Sequence, residues 1–224
     1  MIASSVLDWD TALNDGKGMS GAAVDPGSLQ DIAQQGHPDL TGSGIWEYGR
    51  GTSGDGAAFA GGFPLLNVWE GGGWSWGAGY PFITGTRTTP TNTSGADQIA
   101  YRRWTSTGAF AGDLITATLT FSVNADNPGD GVTMLLNSNA GSSVPPLTKV
   151  IAPSEFGTEF ELSITIPDAP DRWVLAGALP DGPDTGTFFN DAVNTELVIT
   201  QIPEPSVAGV HGGLSALLMA RRRR

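Results

Sequence analysis

Cysteine is absent from all 224 residues, and histidine occurs only twice. That excludes disulfide staples, thiol catalysis and cysteine-ligated metals, and it leaves zinc or iron short of nitrogen ligands. Charged residues make up only 15% of the chain, and basic ones are rarer still: 11 Lys and Arg against 23 Asp and Glu, a net charge of −12. A chain this acidic repels phosphate backbones, so DNA and RNA are excluded as partners. Apolar runs of full membrane-spanning length are missing too. The weakly apolar stretch 206–220 would give roughly 22 Å of helix against a hydrocarbon core of about 30 Å. A basic, apolar leader is also lacking at Met1-Ile2-Ala3-Ser4-Ser5-Val6-Leu7-Asp8-Trp9-Asp10, which implies that an export signal lies upstream of Met1.

What is present is glycine (32), proline (15) and alternating apolar patterns. In residues 114–123, Ile115, Ala117, Leu119, Phe121 and Val123 alternate with Thr116, Thr118, Thr120 and Ser122. Residues 159–166 repeat the period, with Phe160, Leu162, Ile164 and Ile166 expected inward and Glu161, Ser163 and Thr165 outward. Period two means a strand with one dry and one wet face. Further strands are expected at 98–105, 132–137, 171–179 and 195–202, with shorter ones at 45–50, 65–70 and 80–84. Turn chemistry at Asn127-Pro128-Gly129-Asp130-Gly131 and Asp181-Gly182-Pro183-Asp184 separates them. The one helix candidate in the body is residues 25–35, with Pro26 in its first turn. Many short strands at roughly ten-residue spacing predict an all-β, antiparallel sandwich with glycine-rich loops.

The chain ends in three parts: Pro203-Glu204-Pro205, the apolar stretch 206–220, and Arg221-Arg222-Arg223-Arg224. An apolar helix partitions into lipid while an arginine cluster stays on the cytoplasmic side, so the body would lie across the membrane. Setting aside these four arginines and Glu204 leaves 7 basic against 22 acidic residues in the body. The layout resembles the PEP-CTERM sorting signal of Gram-negative bacteria. That resemblance implies a transient inner-membrane anchor formed by a short C-terminal helix, and an exosortase-type membrane protease that cleaves near Pro-Glu-Pro. The end state would be the cell surface or the extracellular matrix.

The body carries a second resemblance. Ile45-Trp46-Glu47-Tyr48-Gly49, Tyr101-Arg102-Arg103-Trp104-Thr105, residues 131–137 and Asp171-Arg172-Trp173 follow the order of short motifs in jelly-roll domains of secreted bacterial proteins. The resemblance implies a jelly-roll-like β-sandwich over residues 44–202, similar in architecture to carbohydrate-binding modules. Residues 1–43 are then an N-terminal extension with first strands, and 203–224 the sorting tail.

Within the body, Trp69, Trp74, Trp76, Tyr80 and Phe82 crowd fourteen residues threaded by glycines. Flat indoles stack on the apolar faces of sugar rings, so Trp69, Trp74, Trp76 and Tyr80 are candidates for holding exopolysaccharide. Plugging the end of the core is the competing reading. Gly73-Trp74-Ser75-Trp76-Gly77 fits the nucleophile-elbow spacing but lacks the following helix and a convincing histidine base, and is a chance match. Asp126, Asp130, Asp181 and Asp184 are the calcium candidates, although turn-forming Asp explains them without metal. Glu47, Glu70 and Glu155 are the least turn-like acids for a glycosidase pair. The sequence therefore predicts an exported, non-catalytic surface or matrix component that needs no cofactor and takes exopolysaccharide as ligand. A purely structural matrix protein and a polysaccharide-degrading glycosidase or lyase are the alternatives.

Overall fold

A computed structural model describes residues 1–9, 37–39, 41–52, 68–70, 73–75, 81–93, 96–126, 129–141, 143–180 and 191–202. The expected helix at 25–35 and the tail at 203–224 lie outside the described residues. No helix among the described residues is long and apolar enough to cross a membrane.

Alternation decides the architecture. Along the strand Leu114–Val123 every second side chain is buried, from Ile115 to Val123, and the threonines between them stay wetter. The strand Glu159–Pro167 turns Ile164 and Ile166 inward in the same way. Among the described residues fifteen strands result: β1 Ala3–Ser4, β2 His37–Pro38, β3 Gly44–Thr52, β4 Val68–Glu70, β5 Gly73–Ser75, β6 Phe82–Ile83, β7 Arg87–Thr89, β8 Thr91–Thr93, β9 Ala96–Ser106, β10 Leu114–Val123, β11 Val132–Ser138, β12 Leu147–Ile151, β13 Glu159–Pro167, β14 Trp173–Pro180 and β15 Val193–Ile202. They form two antiparallel sheets. One runs β13-β10-β15-β7-β6-β5-β4 with β1 also on β15; the other runs β12-β11-β14-β9-β3-β2 with β8 also on β9.

The sheets face each other across one core. Ile115, Leu119, Phe121, Leu197 and Ile199 of the first meet Trp46, Trp104, Met134, Val174 and Ala178 of the second. Burying each large apolar side chain contributes about 1.5–3 kcal/mol, which makes this interface the main source of stability. The first residues of the chain belong to it. Ile2 and Ala3 are core members, and Ile2 N–H and Ser5 N–H donate to the carbonyls of Ile199 and Leu197.

The strands expected at 98–105, 114–123, 132–137, 159–166 and 195–202 all form. Two differences have local causes. The strand expected from 171 begins at Trp173, because Asp171 takes a left-handed backbone (φ 60) in the preceding turn. Short polar side chains tolerate that region better than most. β12 was not legible because it is a sheet edge, and Leu147 and Lys149 stay only half-buried there.

Candidate functional site

A buried acid or base is a frequent mark of chemistry, and the sandwich encloses several polar side chains. Asp8 Oδ2 accepts hydrogen bonds from Ser4 N–H at 2.9 Å and Trp46 Nε1–H at 2.8 Å. Asp39 accepts from Trp104 Nε1–H, Ser43 Oγ and the backbone N–H groups of Thr41 and Ser43, all within 3.0 Å. Both carboxylates are held by fixed donors and close loops onto the core. Arg102 is fully buried on β9. Its guanidinium donates to Ser5 Oγ, the carbonyls of Thr84, Gly85 and Arg87, and Thr88 Oγ1. Burial pulls its pKa down to about 10, opposed by Tyr48 and Glu196, so it stays cationic at neutral pH.

Two of the three candidate glycosidase acids are held by basic side chains. Glu47 on β3 accepts from Arg103 Nε at 2.9 Å. Glu155, in the single turn of 3-10 helix at Pro153–Glu155, accepts from Lys149 Nζ at 2.6 Å and Ala152 N–H at 3.0 Å. The Lys149 bond, then that backbone bond, hold its carboxyl below the usual range. β3 and β12 stand four strand spacings apart in their sheet, about 19 Å in the hydrogen-bonding direction. That is beyond the span of a glycosidase pair. Glu70 ends β4.

The aromatic candidates are described in part: Trp76 and Tyr80 lie outside the described residues. Trp69 of β4 pairs in register with Trp74 of β5, and the row continues through Ile83, Thr88 and Val193. Ile83, Thr88 and Val193 are buried, and directly opposed residues share a sheet face. Glycine is required beside them: a Cβ on Gly73 would overlap the Phe82 ring and the Ile83 carbonyl. Of the calcium candidates, Asp126 and Asp130 are exposed, and Asp181 and Asp184 lie outside the described residues. No three His, Asp or Glu side chains among the described residues converge to hold a metal ion.

The site that sequence reasoning missed is on the outer face of the first sheet. A shallow groove of about 250 Å³ is lined by Thr120, Ser122, Glu159, Asn194 and Glu196, with Val6 and Thr86 at one side. The alternation at 114–123 already marked Thr120 and Ser122 as outward. What brings them together is β15 lying on β10 and β10 on β13.

No protein-family model matches the sequence, and no curated protein matches it. Among solved structures, the chain is similar to the enzymatically active domain of tailspike protein 4 of bacteriophage CBA120, with 10% identity and a TM-score of 0.34 over 70% of this chain and 19% of that one. Xylanase 10C from Cellvibrio japonicus gives 12% identity and a TM-score of 0.32 over 83% of this chain and 29% of the xylanase. A family 16 carbohydrate-binding module gives 12% identity and a TM-score of 0.25 over 56% of this chain and 88% of the module. Likenesses this distant carry no functional argument.

Proposed function

We propose that this protein is an exported, non-catalytic surface or extracellular-matrix component, a jelly-roll body delivered by a PEP-CTERM tail. The observation that carries the reading is where the last strand stops. β15 ends at Ile202, paired with Leu114, and Pro203-Glu204-Pro205 follows directly. A cut at the motif would therefore remove no rung of the described sheets. The order β7-β15-β10-β13 against β9-β14-β11-β12 supports the jelly-roll reading, because the chain crosses between sheets at β9–β10, β10–β11, β12–β13, β13–β14 and β14–β15. The non-catalytic reading is supported by the acids themselves. Asp8 and Asp39 are spent on indole and backbone donors, and Glu47 and Glu155 are paired and far apart.

The test is processing in a Gram-negative host that possesses an exosortase-type protease. N-terminally labelled protein, given an export signal, should lose the mass of the tail and appear outside the inner membrane. Replacing Pro203, Glu204 and Pro205 by alanine should leave it full-length and membrane-held. Full-length, soluble, cytosolic protein in that host would overturn the proposal.

A further inference from the structure

The outward residues of β13, β10 and β15 form cross-strand rungs. At one end the rungs are closed on themselves: Thr116 Oγ1 hydrogen-bonds Thr165 Oγ1 at 2.9 Å, and Thr118 Oγ1 meets Ser163 Oγ at 3.3 Å. The next two rungs differ. Thr120 is flanked by Glu161 and Glu196, and Ser122 by Glu159 and Asn194, whose own neighbour on β7 is Arg87. No hydrogen bond joins the side chains of Thr120, Ser122, Glu159 or Arg87 to another described residue, and the surface is concave there. Glu196 is meanwhile held in place by Ser4 Oγ at 2.8 Å, and Asn194 by Asn124 at 3.0 Å. At these two rungs the solvated face of the sheet combines a hollow with polar groups held in place.

We infer that this groove is a glycan-binding site, taking a neutral polysaccharide laid across the strands. The row Glu159–Ser122–Asn194 spans two strand spacings, about 10 Å, with Arg87 of β7 next to Asn194 beyond the groove's lining; Glu159 accepts, Ser122 and Asn194 can each donate or accept, and Arg87 donates. Vicinal sugar hydroxyls donate to carboxylates and accept from hydroxyl, amide and guanidinium groups, so the row meets both halves of a neutral chain's hydrogen bonding. Uronate polymers are disfavoured by Glu159, Glu161 and Glu196, and by the net charge of −12. The ligand class rests on the surface-component reading; the site rests on the groove alone.

A glycan array of neutral and uronate-containing polysaccharides, probed with the full chain, tests it. One or more neutral glycans should be retained and alginate should not. Ser122→Trp, which fills the hollow from an outward position, and Glu196→Gln, which keeps the Ser4 acceptor, should each reduce retention at least tenfold. Their melting curves should match the parent's, and Trp74→Ala should leave retention largely intact if it folds. No retention on any neutral glycan, or retention unchanged in Ser122→Trp, would overturn the site. Tail processing is scored separately, so failure of export and failure of the groove are distinguishable.

Discussion

Trp46 and Trp104 stand directly opposite each other on β3 and β9, and each indole N–H ends on a buried aspartate from an earlier segment, Asp8 and Asp39 respectively. The two pairs bridge 38 and 65 residues of sequence. They fasten the first residues and the turn before β3 to the centre of the core, where each lost partner exposes an unpaired polar group.

Alanine at Asp8 should destabilise the protein by about 2–4 kcal/mol, because two buried donors lose their acceptor. Asparagine, which keeps one acceptor oxygen, should cost less. Urea unfolding of Asp8→Ala and Asp8→Asn beside the parent checks the order, and equal midpoints for all three would contradict it. Asp39→Ala should be at least as damaging, since Trp104 and the backbone of Thr41 and Ser43 share that carboxylate.

Gly44→Ala should be costly although glycine-to-alanine changes in strands often stabilise. A Cβ there would overlap the Trp104 indole, whose N–H is tied to Asp39 and which cannot swing aside. Overpacking of this kind costs about 1–3 kcal/mol. A melting temperature lowered by several degrees is expected, and near-UV circular dichroism should show the displaced indole.

Arg102→Lys should destabilise nearly as much as Arg102→Met. A lysine keeps the charge but cannot reach Ser5 on one side and the carbonyls of Thr84 and Gly85 on the other. Each buried acceptor left without its donor costs about 1–3 kcal/mol. Denaturant midpoints of the two variants are the measurement.

Alkaline pH should unfold the protein from the inside. Burial pushes the phenols of Tyr48 and Tyr101 well above their ordinary value of 10.0. Below that value both states keep the proton and stability has no slope from these groups. Above it the unfolded chain releases protons that the folded chain retains, so each tyrosine removes about 1.4 kcal/mol per pH unit. Arg102 works the other way above about 10, where burial has lowered its folded pKa and the unfolded state binds more protons, but it is one group against two. Phenolate absorbance should therefore show Tyr48 and Tyr101 ionising together with unfolding, at a pH where urea midpoints are already falling.

Much of this was written into the chain. Alternation at 114–123 and 159–166 fixed not only two strands but which of their side chains face inward, because a strand's period of two is a local property. The scarcity of cysteine and histidine, and the Pro-Glu-Pro with its arginine cluster, are legible without any fold. Partnership across space was not. Nothing local marked Asp8 and Asp39 as indole partners, and only the closing of β1 on β15 and of β2 on β3 brings them to the indoles. Nothing in the motif Tyr101–Thr105 distinguished Arg102 from Arg103, yet strand parity turns Arg102 into the core and leaves Arg103 on the other face with Glu47. The groove was equally hidden: Glu159, Ser122 and Asn194 lie far apart in sequence and meet only because β13, β10 and β15 are neighbours. Local periodicity determines what each segment becomes; which segments lie side by side is settled by the burial of one shared core, and that is where the charges find their partners.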